Sequence, residues 1–458
     1  MSKIPIAAPP VKDAPGGRAR PPGPAGHLIS GSTPELRRDV LGFFTRCARE
    51  HGDLCAMRFY HLRAVLVSHP DLIERVLVAQ NDRMVKAWDV RQLRMALGDG
   101  LLTSEGETWR RARALIQPAF HIDRIRRYAQ VMAARAEAAA ESWRDGQILD
   151  LHAEMMRLTL GIVAESLFGL EIEPFAPRVE RALDEIMRYF ERMFAGHIPG
   201  PLRFLTPGRW RAVRAVRRLD DVLLGILRER RASGAGGDDL LGVLIAARDE
   251  DGRPLSDREL RDHLVTLLMA GHETTALALS WSFYLLGRHP EAEARLEAEL
   301  DDVLGDRTPG ADDLGRLTYT RQVIRESLRL YPPAWGLGRE AAREVELGGY
   351  RIARGAQIFM VPWVVHRDPR FFPEPERFRP ERWSVENARP LPKYAYFPFG
   401  GGPRHCIGSG FAMAEATILL AVLARRWRFE LVPGHPIELQ PAVTLRPRYG
   451  IRAVARRR

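Results

Sequence analysis

The residues best suited to chemistry lie in a glycine-rich loop that contains one cysteine. Residues 397–410 read Phe-Pro-Phe-Gly-Gly-Gly-Pro-Arg-His-Cys-Ile-Gly-Ser-Gly and lead into a predicted helix over 408–427. The backbone N–H groups at a helix start, together with Arg404 and His405, favour the thiolate form of Cys406. The sequence has no Cys-x-x-Cys pair, so a lone thiolate suits a metal that other ligands already hold, and haem iron fits. A structural cysteine is the alternative.

A second unusual pattern lies in the middle of a long predicted helix over 256–288. Ser256 and Glu259 form an S-x-x-E capping box, which marks the start of this helix. The middle of the helix places Gly271, Glu273 and two threonines in an otherwise apolar stretch. An interior glycine and a buried carboxylate both cost stability, so their occurrence in one turn indicates a functional site. A packing glycine beside a solvent-facing glutamate is the alternative.

The composition is that of an ordinary globular protein with an excess of positive charge. The 458 residues are 45% hydrophobic and 28% charged, which excludes a disordered or fibrous chain. The formal net charge is +11, and only four of the 69 basic residues are lysines. This excess leaves open a nucleic-acid partner, an anionic protein surface or a simple preference for arginine.

The cysteine usage and the apolar stretches bear on location. Three cysteines are too few for a disulfide framework, which predicts a reducing, cytoplasmic compartment. The Pro-rich residues 1–34 lack the apolar core of a secretory signal, and we expect them to form a flexible arm. The longest charge-free apolar stretch, 274–287, is shorter than the roughly 18–20 residues that a membrane-spanning helix needs. We therefore expect no membrane anchor.

Helical periodicity dominates after the arm, and we expect residues 35–458 to form one domain. Helices are predicted over 34–50, 106–119, 123–145, 149–169, 177–195, 208–232, 256–288, 290–304, 318–331 and 408–427. Strand-like runs occur at 54–60, 64–68 and 350–361, and again after 429. Residues 369–405 have little periodicity, which favours a functional loop. The predicted fold class is mainly α with small β-sheets.

The cysteine loop and four further motifs resemble those of the cytochrome P450 family. The loop matches the family signature Phe-x-x-Gly-x-Arg-x-Cys-x-Gly at Phe399, Gly402, Arg404, Cys406 and Gly408. The other motifs follow in the family's order, at Trp109 to Arg113, Ala270 to Thr275, Glu326 to Arg329, and 378–383, where Trp383 replaces the usual Phe. The resemblance covers about residues 35–455. It implies a triangular helical prism with haem between the long central helix and the cysteine-loop helix.

The resemblance implies a haem b site built from several parts of the chain. Cys406 would be the axial thiolate, with Phe399, Gly402 and Gly408 around its sulfur. The haem propionates would be bound by cationic side chains and one tryptophan. These residues are Arg113, Arg339, Arg404, His405 and Trp109.

The resemblance also implies structural and distal roles for residues of two helices. Glu326 and Arg329 lie three residues apart and would form a structural triad with Arg382. Glu273, as a carboxylate reaching solvent, and Thr274 would relay protons on the distal side. Ala270 and Gly271 would keep the helix narrow enough to admit O2.

Family topology implies an apolar substrate pocket and a separate electron donor. The pocket would be lined by Met84, Trp88, Leu101, Phe190, Phe194, Trp335, Leu337 and Val443. Such a lining implies a hydrophobic small molecule, and fatty acids, terpenoids and polyketides all remain open. We recognise no flavin or nicotinamide fold in the 458 residues, so we expect electrons from NAD(P)H to arrive through a ferredoxin or flavodoxin with its reductase. An acidic donor would be steered by Arg110, Arg111, Arg425 and Arg426.

These features predict a haem-thiolate monooxygenase that inserts one atom of O2 into its substrate by hydroxylation or epoxidation. A haem-thiolate peroxygenase or isomerase is one alternative, and the intact Glu273–Thr274 pair argues against it. A non-enzymatic haem sensor is a further alternative. We expect a monomer without a nucleic-acid partner, because propionates and an acidic donor account for part of the positive charge and arginine usage for much of the rest.

Overall fold

The structure, a computed structural model, describes residues 20–169, 176–194, 206–233, 237, 239–387 and 390–458. The chain divides into two units. The sheet unit comprises the residues up to Gln92 together with Leu328–Cys406, and the helical unit comprises Leu93–Ser327 together with Ile407–Arg458.

Helices and short strands follow one another in irregular order along the described residues. The helices are α1 (Thr33–Arg38), α2 (Val40–His51), α3 (Pro70–Glu74), α4 (Trp88–Gln92), α5 (Arg94–Leu97), α6 (Gly106–Ile116), α7 (Ile122–Ser142), α8 (Leu151–Phe168), α9 (Ala176–Phe194), α10 (Pro207–Ala232), α11 (Leu240–Ala246), α12 (Asp257–Leu286), α13 (Pro290–Val303), α14 (Thr318–Leu330), α15 (Pro362–Val365) and α16 (Ser409–Arg426). The strands are β1 (Leu54–Phe59), β2 (Leu62–Val67), β3 (Met84–Lys86), β4 (Ile148–Asp150), β5 (Leu337–Ala341), β6 (Val345–Leu347), β7 (Tyr350–Ile352), β8 (Gln357–Met360), β9 (Trp427–Leu431), β10 (Leu439–Pro441), β11 (Leu445–Pro447) and β12 (Arg452–Arg457).

The sheet unit is organised by a five-stranded sheet of order β1-β2-β8-β5-β3. Strands β2 and β8 run parallel, and the other neighbours are antiparallel. Successive side chains of β2 point to opposite faces, so Leu66 packs in the cluster around Phe43 of α2 while Val65 and Val67 pack in a second cluster. The described residues of the predicted functional loop 369–405 include three short 3-10 helices, at Pro380–Trp383, Lys393–Ala395 and Gly402–Arg404.

The helical unit is organised around α12, which is buried along most of its length and packs against α8, α10 and α16. Its predicted start is confirmed, because the backbone N–H of Ser256 donates to Glu259 Oε2 at 2.8 Å and the N–H of Glu259 donates to Ser256 Oγ at 3.3 Å. The 30 residues of this helix span about 45 Å. No helix in the described ranges has the length and apolarity needed to cross a bilayer.

The prediction of one continuous helix over 34–50 is wrong, because the chain breaks at Asp39. This residue adopts an extended conformation, with φ −158° and ψ 93°, between α1 and α2. Its carboxylate accepts a hydrogen bond from the N–H of Gly42 at 2.9 Å and caps α2. Aspartate is a strong N-cap residue, so local hydrogen bonding outweighs the helical periodicity of the surrounding apolar residues.

The described part of the N-terminal arm makes hydrogen bonds to β1. The N–H of Ala56 in β1 donates to the carbonyl of Pro22 at 2.7 Å. The guanidinium of Arg58 donates to the carbonyls of His27 and Ile29, each at 3.0 Å. Residues 20–34 therefore contact β1 through backbone and side-chain hydrogen bonds that the sequence pattern did not reveal, and the flexibility predicted for residues 1–34 stays a prediction. Residues 1–19 lie outside the described residues.

Candidate haem site

The cysteine loop is held by backbone contacts within the sheet unit. The N–H of Cys406 donates to the carbonyl of Phe399 at 3.0 Å, which closes the loop. Gly402 has φ +63°, and its N–H donates to the hydroxyl of Tyr394 at 3.2 Å. A Cβ at position 402 would lie 2.0 Å from the carbonyl oxygen of Leu77. The position therefore requires glycine, both for its left-handed conformation and for the close approach of two backbone segments.

Cys406 differs from the other cysteines in its surroundings. It is exposed, whereas Cys47 and Cys55 are buried in the core beneath α2. The half-buried Arg404 and the exposed His405 precede it directly, and α16 begins three residues after it. An accessible thiol beside cationic side chains and a helix start is suited to act as a thiolate ligand. This arrangement fits a haem whose porphyrin supplies the remaining ligands of the iron.

Arg329 is an anchor for the chain that precedes the cysteine loop. It is fully buried on α14, the helix that also carries the fully buried Glu326. Its Nη1 donates to the carbonyls of His366 and Pro375, at 2.9 and 2.6 Å. Its Nη2 donates to the carbonyl of Arg377 at 3.1 Å. A buried guanidinium that satisfies three carbonyls fixes the backbone around them.

Arg382 binds the same segment from the turn Pro380–Trp383. Its Nη1 donates to the carbonyl of Pro373 at 2.9 Å. The structure therefore brings Arg329 and Arg382 to neighbouring carbonyls of residues 373–377. Both arginines act through backbone, which is a structural role.

The middle of α12 presents two different faces. Ala270 is exposed and Thr274 is half-buried, and the Thr274 hydroxyl donates to the carbonyl of Ala270 at 2.7 Å. On another side, a Cβ at Gly271 would lie 3.3 Å from Val163 Cγ2 of α8. Close packing against α8 therefore accounts in part for this glycine, as the structural alternative proposed. The open face carries Ala270 and Thr274, which are four residues apart.

Glu273 does not reach solvent, so the prediction of a solvent-reaching carboxylate is wrong. Its side chain is buried, and Oε1 accepts hydrogen bonds from the hydroxyl of Thr444 and, at 2.6 Å, from Nε of Arg446. Burial alone would raise the pKa of Glu273. The charge and hydrogen bonds of Arg446, with the hydrogen bond of Thr444, outweigh burial and lower that pKa below its ordinary value. The carboxylate is thus held ionised inside the protein.

Two sets of residues near α12 escaped the sequence interpretation. Thr444 and Arg446 lie two apart at β11 and so share one face of the strand, but nothing in the sequence connects them to Glu273. Glu415 is fully buried on α16, where burial raises its pKa to about 8 and neither carboxylate oxygen has a hydrogen-bond partner among the described residues. It is the only charged residue in 409–424, a signal that was available in the sequence.

The residues predicted to bind propionates are distributed over both units. In the helical unit, Trp109 and Arg113 are half-buried on α6, and Arg113 Nε donates to Gln117 Oε1 at 3.4 Å. In the sheet unit, Arg339 is half-buried on β5. Arg404 and His405 lie in the cysteine loop, while Gly408 is the N-cap residue of α16 in the helical unit. Their contacts with haem stay predictions.

The predicted pocket residues are also distributed over both units. The sheet unit contains Met84, Trp88, Trp335 and Leu337, and the helical unit contains Leu101, Phe190 and Val443. The side chain of Phe194 lies outside the described residues. Phe190 is fully buried and stacks edge-on against Tyr189 at 5.5 Å, so in this conformation it belongs to the core. Contact of any of these side chains with a substrate stays a prediction.

The four arginines predicted to steer an electron donor are largely neutralised by neighbouring carboxylates. Arg111 pairs with Asp249 at 2.6 Å, and Arg425 pairs with Glu137 at 2.8 Å. Arg426 also pairs with Glu137, and Arg110 pairs with Glu107 one turn earlier on α6. These acidic partners were not apparent from the sequence, and steering of a donor by the four arginines stays a prediction.

Comparison with known proteins decides the family. The family model described as cytochrome P450 matches residues 21–451. The chain belongs to the cytochrome P450 family. A solved structure, the crystal structure of the cytochrome P450DA heme domain, superposes on this P450 with a TM-score of 0.88 at 29% identity. The superposition covers 96% of this chain and 98% of that chain, which confirms the predicted fold class.

Relatives of this P450 include three Streptomyces proteins, two of which are named as oxygenases. Cyclooctat-9-en-7-ol 5-monooxygenase of Streptomyces melanosporofaciens is 41% identical over 89% of this chain and 88% of its own length. Cyclooctatin synthase of the same organism is 38% identical over 92% of both chains. Pentalenene oxygenase of Streptomyces avermitilis is 38% identical over 88% of this chain and 90% of its own length.

These findings confirm the predicted activity. This P450 is a haem-dependent monooxygenase that uses O2, takes reducing equivalents from NAD(P)H through redox partners and acts on a hydrophobic small molecule. None of the comparisons favours the peroxygenase, isomerase or sensor alternatives.

Proposed function

We propose that this P450 oxygenates a cyclic terpene hydrocarbon or terpene alcohol. The observation that carries the proposal is the similarity to the three Streptomyces proteins, two of which are named for an alkene or an alkenol that they oxidise. The sequence left fatty acids, terpenoids and polyketides open, and these relatives favour the terpenoid. An apolar pocket lining, as predicted from the family topology, suits such a substrate.

The residues proposed to hold haem come mainly from the matched motifs. Cys406 would supply the thiolate ligand, with the backbone of Phe399, Gly402 and Gly408 around its sulfur. The propionates would be bound by Trp109, Arg113, Arg339, Arg404 and His405. Residues 35–458 act as one haem domain, a proposal supported by the family match over 21–451. Bound haem supplies the redox chemistry toward O2, and the chain supplies its ligand, its counter-charges and protons.

The proposed proton relay consists of Thr274 and Glu273. The Thr274 hydroxyl donates its hydrogen to the carbonyl of Ala270, which leaves its oxygen lone pairs free to accept a hydrogen bond from the site. Glu273 follows directly on α12 as a buried carboxylate able to take up and pass on a proton. A positioned acid and hydroxyl of this kind speed proton transfer by about 10²–10⁴-fold.

The proposed electron donor is a ferredoxin or flavodoxin with its reductase, and the proposed form of the enzyme is a cytoplasmic monomer. The net charge of +11 supports an acidic donor, because opposite charges raise association rates. The four arginines named for steering are paired with carboxylates, which reduces the positive charge that they offer to such a donor. The sparse cysteine content supports a reducing compartment.

The experiment that tests the substrate proposal is a ligand titration monitored by the haem spin-state spectrum. The probes are pentalenene, a fatty acid of similar carbon number and a macrolactone. We expect the terpene to give the tightest saturable shift, and NAD(P)H with a surrogate ferredoxin and reductase to convert it to an oxygenated product. Tighter binding and turnover of the fatty acid or the macrolactone would refute the terpene proposal.

A further inference from the structure

A buried ion-pair network joins α12, α9 and the β10–β11 hairpin within the helical unit. The guanidinium of Arg446 lies between two carboxylates, with Nε 2.6 Å from Glu273 Oε1 and Nη1 3.1 Å from Glu191 Oε1. The Arg446 and Glu191 side chains are each 16% exposed, and Glu273 is 4% exposed. Gln440, which pairs with Arg446 across the hairpin, adds a contact of 3.5 Å to Glu191 Oε2. One guanidinium thus pairs with two carboxylates from different elements, the buried Glu273 and the largely buried Glu191.

The two carboxylates are not equivalent. Burial raises the pKa of Glu191, and the negative charge of Glu273 raises it further, although Arg446 opposes both effects. The pKa of Glu273 is lowered by the same arginine despite deeper burial. Other charged or titratable groups that act on the network are Asp150, His152, Asp184, Arg188 and His272. Burial lowers the pKa values of the two histidines, so both are neutral and add no second cation.

We propose that Arg446 is a positioning residue that shares its guanidinium between Glu273 and Glu191 and thereby makes proton delivery by Glu273 depend on the position of α9. Arg446 touches neither substrate nor haem in this proposal, and it acts through the carboxylate that it holds. The proposal rests on the proposed role of Glu273 in the proton relay.

The argument for coupling follows from the geometry. A displacement of α9 carries Glu191 with it, because Glu191 belongs to that helix. An Arg446 side chain that keeps its contact with a displaced Glu191 lengthens its contact with Glu273, because one guanidinium makes both contacts at hydrogen-bond distance. Loss of that contact leaves a carboxylate buried with Thr444 alone, and burial then favours its protonated form. Movement of α9 is thereby converted into a change in the proton occupancy of Glu273.

The elements that meet at Arg446 also carry predicted pocket residues. Helix α9 carries Phe190, and the connection between β10 and β11 carries Val443, one residue before Thr444. A substrate that contacts either element would therefore act on the network from its own site. Binding of substrate in the pocket and the protonation state of Glu273 would then be coupled through the Arg446 side chain.

The first test measures hydrogen–deuterium exchange in the holoenzyme and needs no substrate. The variants are Arg446→Gln, Arg446→Lys and Glu191→Gln. Arg448→Gln is the matched control, because Arg448 lies two residues beyond on the same hairpin in an exposed pair with Glu438. We expect the amide exchange rate in peptides from 176–194 to rise by about fivefold or more in Arg446→Gln and Glu191→Gln and to stay unchanged in the control. A factor of about five is the smallest change that coupling between two sites typically produces. Arg446→Lys should recover part of the protection.

The second test measures hydrogen peroxide released per NADPH oxidised, as a function of pH, with a surrogate ferredoxin and reductase. In Arg446→Gln the acidic limb of this profile should move upward by about one pH unit or more, since the opposite charge beside Glu273 is lost. Glu191→Gln should move it downward, because Arg446 then serves Glu273 alone. In a Glu273→Gln background, Arg446→Gln should cause no further shift.

The outcomes separate this proposal from the role of Glu273 itself. If Glu273→Gln leaves peroxide release unchanged at every pH, the relay role of Glu273 is refuted, and the coupling proposal falls with it. If Glu273→Gln alters peroxide release but Arg446→Gln and Glu191→Gln match Arg448→Gln in both tests, only the coupling through Arg446 is refuted. Should Arg446→Gln fail to bind haem, Glu191→Gln and Arg446→Lys decide the result, since each keeps part of the network.

Discussion

Arg329 and Arg382 both lie over the ring of Phe372, with their guanidinium carbons 5.4 and 6.0 Å from its centroid. The same two side chains donate to carbonyls of Pro375 and Pro373. The segment 372–377 is therefore fixed by two cations through an aromatic face and through backbone oxygens. This relationship explains why the Glu-x-x-Arg helix and the turn 380–383 act as scaffold for the chain that leads to Cys406.

Replacing Arg329 should abolish haem retention. In Arg329→Ala, three carbonyl oxygens lose their donor, and at about 1–3 kcal/mol for each the folded state should lose at least about 3 kcal/mol. We expect the haem-to-protein ratio after purification to fall below about a tenth, as read from the Soret-to-protein absorbance ratio. Arg377→Ala is the control, because the Arg377 side chain forms an exposed pair with Glu374. Full haem content in Arg329→Ala would contradict the scaffold role.

Replacing Gly402 should displace the cysteine loop. Gly402→Ala puts a methyl group 2.0 Å from the carbonyl oxygen of Leu77 at φ +63°. Gly355→Ala is a matched control, since Gly355 has φ +82° with open space around the added methyl. The control should lose only the conformational cost of about 1–2 kcal/mol. Gly402→Ala should lose about 1–3 kcal/mol more in a denaturant titration, together with haem. Equal decreases in the free energy of unfolding of both variants would show that the contact with Leu77 costs little stability.

Glu415 should make stability decrease as the pH rises. Its pKa of about 8 in the folded protein exceeds its ordinary value, so the folded state binds the proton more tightly than the unfolded state does. The stability is complete below about pH 4.5 and falls progressively toward pH 8, where the folded state must also ionise. Glu415→Gln removes this proton linkage. The Tm of Glu415→Gln minus that of the wild type should therefore grow from pH 5 to pH 8, and a constant difference would contradict the prediction.

Removing the hydroxyl of Thr274 should uncouple electron use from product formation. Thr274→Ala loses the group that accepts a hydrogen bond from the site, and proton delivery of this type is worth about 10²–10⁴-fold in rate. We expect most NAD(P)H-derived electrons to appear as hydrogen peroxide, measured beside product with the substrate found in the ligand titration. Thr274→Ser keeps a hydroxyl that can donate to the carbonyl of Ala270 and should restore coupling. Unchanged product per NAD(P)H in Thr274→Ala would exclude the relay.

Removing the thiol of Cys406 should change the ligation of iron. Cys406→Ser should lose the thiolate-type band of the reduced carbon-monoxide difference spectrum, because a hydroxyl is a far weaker ligand than a thiolate. Cys47→Ala is the control, since Cys47 is buried in the core of the same unit. A thiolate-type band that persists in Cys406→Ser would assign the ligand elsewhere.

Features with a local signal were predictable from the sequence. The capping box at Ser256 fixed the start of α12 to within one residue, and the period of apolar residues located α13 and α14 closely. Glu326 and Arg329 were recognised because they match the Glu-x-x-Arg motif of the family. The break at Asp39 was missed because one capping hydrogen bond competes with the periodicity of its neighbours.

Long-range partners were not predictable. Glu273 is separated by 173 residues from Arg446, and no local pattern distinguishes this arginine among the many others. The same reason accounts for the steering arginines, since Arg111 and Arg425 find their carboxylates 138 and 288 residues away. The sequence indicated that a buried carboxylate needed a partner, and only tertiary structure supplies its identity.

The sheet unit is discontinuous in sequence, which has a consequence for the order of events during synthesis. Strand β2 pairs in parallel with β8, with Ala64 opposite Gln357. This edge of β2 therefore stays unpaired until β8 has been synthesised. During translation the β1–β2 hairpin is made long before its partner and carries an open edge while about three hundred further residues emerge. The loop of Cys406 leaves the ribosome last in this unit. The proposed haem ligand is therefore made only after all five strands of the sheet have been synthesised.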